Sequence, residues 1–288
     1  IGLRNARQTF QRFIDDVVRG LDFCSVYLEG ILIFSRNETE HRQHLRQLFQ
    51  RLDKHGLLIN VQKSTLGAPV VTFLGHENSS EGTRPLPDHI LALQNYALPA
   101  TAKDLHRFLG MLNFYRRFVP KAATYQAPLH DALSGQRGNH PVTWTPALTQ
   151  AFEDCKTALC NATLLSHPKP EAPLGLFTDA SSTAVGASLM QRVGNNWHPL
   201  AFFSKKLSSL KPPPPSGSIG NATSPPAETT WPAYYRELLA IYEAVQHFRH
   251  ILEAEYCAIY TDDKPITYAF SQRREKLPPV APPWWSSC

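Results

Sequence analysis

The stretch from Leu174 to Met190 constrains the fold of this chain more than any other part of the sequence. An apolar run leads to Asp179, small residues follow at positions 180–182, and a second apolar run comes next. Two such runs separated by a small-residue turn predict a β-hairpin with the Asp179 carboxylate at its open end. A carboxylate in that position costs on the order of several kcal/mol of desolvation unless a cation or a hydrogen-bond donor meets it.

Two further acids follow elements that we expect beside this hairpin. Glu237 lies near the start of a helical run at 234–245, and Asp262 ends a third strand-like run at 256–262. Each acid by itself has an ordinary alternative, as a turn residue or a helix cap. Together, three acids at the ends of adjacent elements predict a site for a hard divalent cation bound through oxygen, with Mg²⁺ favoured.

Six short motifs follow one another in the second half of the chain. They are Phe-Thr-Asp-Ala-Ser at 177–181, Gly-Ala-Ser-Leu at 186–189, His-Pro-Leu-Ala-Phe-Phe-Ser-Lys-Lys-Leu at 198–207, Arg-Glu-Leu-Leu-Ala-Ile-Tyr at 236–242, Phe-Arg-His-Ile-Leu at 248–252 and Thr-Asp-Asp-Lys-Pro-Ile-Thr-Tyr at 261–268. Through these motifs the sequence resembles the ribonuclease H domain of gypsy-type LTR retrotransposon Pol polyproteins.

That resemblance implies a catalytic site and a substrate. It puts Asp179, Glu237 and Asp262 at the catalytic and metal-binding positions, with Mg²⁺ or Mn²⁺ as the cofactor. The implied reaction is hydrolysis of the RNA strand of an RNA–DNA hybrid, carried out within a longer Pol polyprotein. Asp263 stands where relatives usually carry histidine. The alternative is a non-catalytic remnant that binds nucleic acid or a protein partner.

A second hairpin is predicted near the start of the chain. Residues 23–35 read as two strands joined at Glu29 and Gly30, because glycine readily takes the positive φ of a tight turn. This region resembles the reverse transcriptase palm of the same elements, in which two adjacent aspartates follow Tyr-Leu and hold two Mg²⁺ ions. Tyr27 is kept, but the aspartate positions carry Glu29 and Gly30, and the resemblance puts the third aspartate before Ile1. We therefore expect that polymerase activity is lost in this chain.

Apolar residues with helical spacing predict five helices in the first 160 residues. They span residues 5–20, 38–55, 85–96, 102–119 and 146–158. The apolar stripe of the fourth helix is expected in the core. Arg116 and Arg117, near its end, are candidates to contact a nucleic-acid backbone, although paired arginines are more often plain surface charge.

The fold class predicted for the whole chain is α/β: an α+β palm and thumb remnant, then a ribonuclease H-like mixed-sheet α/β domain that is incomplete at its C-terminus. Residues 208–232 are rich in proline, serine, glycine and threonine, which predicts a disordered or extended insertion in that domain. The predicted layout is a partial palm at 1–80, a mostly helical thumb and connection at 81–168, the ribonuclease H-like domain at 169–270 and an unstructured tail at 271–288.

Bulk properties narrow the remaining possibilities. A net charge of +5 permits a polyanionic partner such as nucleic acid. Five cysteines, an odd number without paired Cys/His spacing, indicate neither a disulfide framework nor a zinc site. No apolar run reaches the length of a membrane span, so we expect no membrane association and an intracellular location, in the cytoplasm or nucleus.

Overall fold

The structure is a computed structural model that describes residues 5–208, 227–253, 256–263 and 266. The chain forms two compact units, which divide between residues 81 and 82. The predicted boundary at residue 168 lies inside the second unit, so the helices from 82 onward and the sheet that follows them belong to one compact body.

The first unit is built from helices and hairpins. Its elements are α1 (Ala6–Val18), β1 (Cys24–Tyr27), β2 (Gly30–Ile33), α2 (Glu38–Lys54), β3 (Val70–Phe73) and β4 (His76–Ser79). β1 pairs antiparallel with β2, and β3 pairs antiparallel with β4. The core consists of buried aliphatic side chains from both helices and the turn after α1: Ile14, Val17, Leu21, Leu48 and Leu52.

The helix signals in this part of the sequence are confirmed. α1 and α2 each bury one apolar face, although Phe13 and Phe49 remain 41% and 38% exposed. Asn37 caps α2, because its side chain accepts a hydrogen bond from the Glu40 N–H at 2.9 Å. Gly56 follows the end of α2 with a φ of 68°, a left-handed conformation that glycine adopts without steric cost.

The second unit begins with a short strand and a group of helices. These elements are β5 (Gly82–Pro85), α3 (Pro87–Gln94), α4 (Ala102–Phe114), α5 (Ala122–Ala132) and α6 (Pro146–Cys160). The predicted apolar stripe of α4 and the turn after it is buried throughout: Leu105, Phe108, Leu109, Leu112, Tyr115 and Phe118. It packs on α6, where the ring centroids of Phe108 and Phe152 lie 4.4 Å apart.

The predicted helix at 102–119 is too long. α4 ends at Phe114, and residues 116–118 form a 3-10 turn. Val119 precedes Pro120 and takes an extended backbone, because the proline ring disfavours the helical conformation of the residue before it. The chain then forms α5, which apolar spacing does not predict because Pro128 lies inside it.

The remaining described part of the second unit is a four-stranded mixed sheet with a long helix packed on one face. Its elements are β6 (Leu174–Ala180), β7 (Ala184–Val193), β8 (Asn196–Lys206), α7 (Ala233–Leu252) and β9 (Cys257–Tyr260). The strand order is β8-β7-β6-β9, with β6 parallel to β9 and antiparallel to β7. The predicted hairpin at 174–190 and the mixed α/β class are confirmed.

The predicted insertion at 208–232 is described only at its ends. The Ser208 N–H donates to the Glu228 carboxylate at 2.7 Å, and Glu228–Thr230 form a 3-10 turn. Closure free energy rises only slowly with loop length, so a long insertion between two ends that meet costs the fold little. Residues 209–226 and the predicted tail at 271–288 lie outside the described residues.

Candidate active site

Two predicted site aspartates lie at the same edge of the sheet. β6 and β9 pair in parallel, from Leu174 with Cys257 to Phe177 with Tyr260. Both strands therefore end on the same side. Asp179 is the penultimate residue of β6, and Asp262 follows the last residue of β9 by two positions.

α7 brings the third acid to this edge. Ala240 and Ala244 are fully buried, and their small side chains let the helix pack closely on Leu176 of β6 and Leu189 of β7. Glu237 lies one turn before Ala240, at the end of α7 that approaches the ends of β6 and β9.

Glu237 is an acid held in an environment that opposes its charge. The side chain is 7% exposed, and its Oε1 accepts a hydrogen bond from the Ala180 N–H at 3.0 Å. Its Oε2 is buried and has no hydrogen-bond partner among the described residues. Burial raises the pKa of Glu237 to about 7, and the negative charges of Asp262, Asp179 and Asp263 act in the same direction, against the Ala180 hydrogen bond.

Glu237 therefore binds its proton more tightly than a free glutamate does. Repulsion between neighbouring carboxylates contributes, but removal of Glu237 from water is the larger effect on its pKa.

Asp179 has a different environment from Glu237. Side chains alternate along a strand, and Leu176 and Ala180 belong to the face that packs on α7, so Asp179 lies on the other face. Its side chain is 60% exposed, and its Oδ2 lies 3.3 Å from the Nζ of Lys121. Both residues line a cleft of about 220 Å³ on that face of the sheet.

Two basic residues at this edge are absent from the predicted site. Lys121 precedes α5 and is far from Asp179 in sequence, so no local pattern could have indicated it. Arg236, next to Glu237, donates from Nη1 to the Ser181 carbonyl oxygen at 2.9 Å and so ties α7 to the turn after β6. The sequence shows a basic residue next to Glu237, but it does not show that this residue donates to the Ser181 carbonyl oxygen.

The acids do not form a finished metal site. Among the described residues, no three His, Cys, Asp or Glu side chains are grouped closely enough to hold a metal ion. Asp179 pairs with Lys121, and Glu237 accepts a hydrogen bond from the Ala180 N–H, so these two carboxylates do not face a common centre. The predicted metal site is therefore not preformed. The donor set nevertheless suits Mg²⁺ or Mn²⁺: it is all oxygen, and the buried Glu237 Oε2 lacks a positive or donating partner among the described atoms.

Asp262 and its neighbour Asp263 have separate surroundings. Asp262 is exposed at the sheet edge. Asp263 is half-buried, and its Oδ1 accepts a hydrogen bond from the Ile266 N–H at 3.3 Å, as a capping residue does. That contact gives Asp263 a local structural role beside the site.

Arg116 and Arg117 both make intramolecular contacts. The Arg116 guanidinium donates to the Ser204 carbonyl oxygen, and burial lowers the pKa of Arg116. The Arg117 guanidinium lies 4.9 Å from the centroid of the Phe118 ring. These contacts fix the turn after α4, so they account for both arginines without a nucleic acid.

The β1–β2 hairpin of the first unit differs in detail from its prediction. Tyr27 pairs with Gly30, so the turn consists of Leu28 and Glu29. The positive φ belongs to Leu28, at 51°, and not to Gly30 as predicted. The Gln11 side chain from α1 accepts a hydrogen bond from the Leu28 N–H at 2.7 Å, which stabilises this conformation.

The residues of the predicted degenerate polymerase site do not provide two adjacent aspartates. Tyr27 is 53% exposed, Glu29 is exposed, and Gly30 has no side chain. A Cβ at Gly30 would lie 3.2 Å from Cε2 of Phe73, so an aspartate there would require that ring to shift.

Comparison with known proteins now identifies the class of these units. A family model described as reverse transcriptase (RNA-dependent DNA polymerase) matches residues 1–78. Two models described as the RNase H-like domain found in reverse transcriptase match residues 144–213 and 221–282. The chain thus consists of a reverse transcriptase segment followed by an RNase H-like domain.

Related sequences place this pair of domains in a particular family. The chain is 31% identical to the Pol polyprotein of the Drosophila melanogaster transposon opus, over 94% of this chain and 26% of that polyprotein. It is 32% identical to that of transposon 297 from the same species, over 93% of this chain and 23% of that protein. The transposon Tf2-3 polyprotein of Schizosaccharomyces pombe is 31% identical over 92% of this chain and 19% of its own length. The chain belongs to the Pol polyprotein family of gypsy-type LTR retrotransposons, and it spans about a quarter or less of these relatives.

Solved structures show the same fold. The foamy viral protease–reverse transcriptase dRH in complex with double-stranded DNA matches with a TM-score of 0.77 and 22% identity, over 94% of this chain and 44% of that chain. The same viral protein in complex with an RNA/DNA hybrid matches with a TM-score of 0.74 and 23% identity, over 95% of this chain and 35% of that one. In the part of the chain that is described, no helix is long and apolar enough to cross a membrane.

Proposed function

We propose that the RNase H-like domain is a metal-dependent phosphodiester hydrolase for the RNA strand of RNA–DNA hybrids. The observation that carries this proposal is Glu237, a buried carboxylate with one unpaired oxygen beside two further acids. A buried carboxylate of this kind is costly unless a cation or proton neutralises it. A buried carboxylate at the edge of a sheet, where an ion can reach it, is well suited to bind a cation.

Asp179, Glu237 and Asp262 would hold Mg²⁺ or Mn²⁺. When bound, such an ion supplies Lewis-acid stabilisation of phosphate oxygens and lowers the pKa of a water nucleophile. Glu237 contributes a carboxylate already removed from water, while Asp179 and Asp262 are exposed at the edge where a backbone phosphate can approach. The protein has to turn the Asp179 carboxylate away from Lys121 before all three acids can share one ion.

The substrate class follows from the family and from the exposed sheet edge. Hybrid duplexes are recognised mainly through backbone shape and 2′-hydroxyl groups, so we expect little base specificity. Phosphate contacts by Arg116 and Arg117 remain a prediction. Because the Arg116 guanidinium already donates to the Ser204 carbonyl oxygen and that of Arg117 lies over the Phe118 ring, we expect any such phosphate contacts to be weak. Because RNA–DNA hybrids form in the cytoplasm or nucleus, we expect the protein to act in one of these compartments.

Polymerase activity is not part of this proposal. The tip of the β1–β2 hairpin offers Glu29 and Gly30, and glycine supplies no metal ligand. We propose that this segment has lost RNA-directed DNA polymerase activity and persists as a folded part of the chain.

A second candidate function is a non-catalytic module that binds nucleic acid or a protein partner. It is favoured by the unfinished metal site, in which Asp179 is paired with Lys121 and no three-ligand group stands ready in the described residues. The two candidates differ in whether Mn²⁺ binds through Asp179 and whether an RNA–DNA hybrid is then cut.

The test is a melting curve with and without Mn²⁺, together with a cleavage assay on an RNA–DNA hybrid. We expect Mn²⁺ at about ten times its Kd to stabilise the parent by roughly 1.4 kcal/mol, since it binds the folded state preferentially. Asp179→Asn should lose most of that gain and cut at background level, whereas the control Glu29→Gln should match the parent. An equal Mn²⁺ response in the parent and Asp179→Asn would refute the metal site and leave the non-catalytic module.

A further inference from the structure

Lys121 lies in an unusual backbone conformation at the start of α5. Its φ of 54° and ψ of 28° are left-handed values that a residue with a Cβ adopts only at a steric cost. The turn leads the chain from Pro120 into α5, and the Thr124 N–H closes it by donating to the Lys121 carbonyl oxygen at 2.9 Å. A strained residue that persists in a structure must be fixed by its surroundings.

The surroundings of this turn are strand β8. The Ala123 N–H donates to the Ser204 hydroxyl at 2.8 Å, and the Arg116 guanidinium donates to the Ser204 carbonyl oxygen. Ser204 pairs with Gly186 of β7, and Gly186 pairs with Asp179 of β6. One cross-strand row therefore connects the anchor of the turn to the aspartate of the proposed site.

The middle of this row is open because Gly186 has no side chain. Lys121 reaches Asp179 at one end of the row, with Nζ 3.3 Å from Oδ2, and both residues line the cleft that Gly186 and Ser204 also line. The two side chains are 68% and 60% exposed, so water and ions have access to the pair. Exposed ion pairs contribute little stability and exchange partners readily.

We propose that Lys121 holds Asp179 in the metal-free protein, gives it up when a divalent cation binds, and then meets a backbone phosphate of the nucleic acid. This inference rests on the proposed metal site. The ammonium and the metal ion compete for one carboxylate and repel each other, so each weakens the binding of the other. Once released, Lys121 is a cation at the edge where the substrate phosphate must lie. Lys121 is thus a positioning residue that links metal binding to substrate binding.

Lys121→Met is the informative variant. Methionine is unbranched like lysine and only one atom shorter, and it has the backbone preference of an ordinary L residue, but it removes the charge. Lys205→Met is the matched control, because Lys205 also forms an ion pair in this unit, with Glu243 at 2.7 Å. Lys121→Arg keeps the charge at the same position.

The first experiment is a Mn²⁺ titration of each purified full chain, in which the melting temperature is measured at each Mn²⁺ concentration. We expect Lys121→Met to bind Mn²⁺ about two- to fivefold more tightly than the parent, the range that loss of one exposed ion pair produces. Lys205→Met and Lys121→Arg should titrate like the parent. The second experiment measures binding of a short RNA–DNA hybrid at saturating Mn²⁺, where Lys121→Met should bind more weakly by a similar factor and with a shallower dependence on salt.

The outcomes separate this inference from the proposed function. If the parent responds to Mn²⁺ and Asp179→Asn does not, but Lys121→Met titrates like the parent, the role of Lys121 is refuted while the metal site stands. A midpoint for Lys121→Arg that moves as far as that of Lys121→Met would also refute it, because charge would not be the cause. Absence of any Asp179-dependent response in the parent would overturn both.

Discussion

The tip of the β1–β2 hairpin and the edge formed by β6 and β9 both present acidic side chains, but their surroundings differ. Glu29 is exposed in a two-residue turn, where water solvates its charge. Glu237 is buried, and one of its oxygens has no partner among the described residues. A solvated acid can be replaced with little effect on stability, whereas a buried acid lowers stability unless a cation or a proton neutralises it. This contrast agrees with the proposal that the hairpin has lost metal ligands and that the sheet edge has kept them.

The largest expected effect concerns the pH dependence of stability. The pKa of Glu237 rises from its ordinary value of 4.5 to about 7 on folding, so the folded state binds more protons than the unfolded state between those pH values. The free energy of unfolding of the metal-free parent should therefore fall as pH rises from about 4.5 to 7, by up to about 3 kcal/mol. Glu237→Gln should remove this fall.

The measurement is urea unfolding in EDTA at pH 4 and pH 8, followed by tryptophan fluorescence, since Trp144, Trp197 and Trp231 all report on the second unit. Glu29→Gln is the control and should keep the pH dependence of the parent. The contrast between the two acids fails if Glu237→Gln retains the full dependence.

The next effect compares one glycine from each region. A Cβ at Gly175 of β6 would lie 2.8 Å from two ring atoms of Trp197, whereas a Cβ at Gly30 of β2 would lie 3.2 Å from one ring atom of Phe73. We expect Gly175→Ala to lower the free energy of unfolding by about 1–3 kcal/mol and Gly30→Ala to change it by less than about 1 kcal/mol. Denaturation followed by circular dichroism would show both; equal losses would mean that the two strands are equally constrained.

A smaller effect separates the stability of the first unit from the metal response of the second. Asn37→Ala removes the hydrogen bond that caps α2 and should lower the free energy of unfolding by about 1 kcal/mol. Because Asn37 belongs to the first unit, the Mn²⁺ midpoint should not change. A shifted midpoint in a Mn²⁺ titration of this variant would show that the two regions are energetically coupled.

The smallest expected effect is the response of the hairpin to restored acids. The double variant Glu29→Asp, Gly30→Asp supplies two aspartates, but Phe73 lies within 3.2 Å of the position of a new Cβ at residue 30. We expect no added stabilisation by Mn²⁺ and no template-dependent nucleotide incorporation. Incorporation above the parent would show that only the ligands, and not their surroundings, were missing at this site.

Much of the fold follows from local sequence. The helices α1, α2 and α6 and the hairpin of β6 and β7 appear where apolar spacing, caps and turns predict them, because those signals act over a few residues. Local signals fail where a distant partner decides the backbone. Leu28, not Gly30, takes the positive φ because Gln11 accepts its N–H, and α5 forms despite Pro128 because it packs on its neighbours.

The candidate site divides in the same way. The order of strands and helix in the sequence determined that Asp179, Glu237 and Asp262 reach one sheet edge, because parallel strands end on the same side. Only the tertiary structure decided that Glu237 is buried with a raised pKa, that Asp179 faces away from it, and that Lys121 meets Asp179 across the cleft. Burial and charge contacts arise between residues far apart in the chain, so no run of neighbouring residues records them.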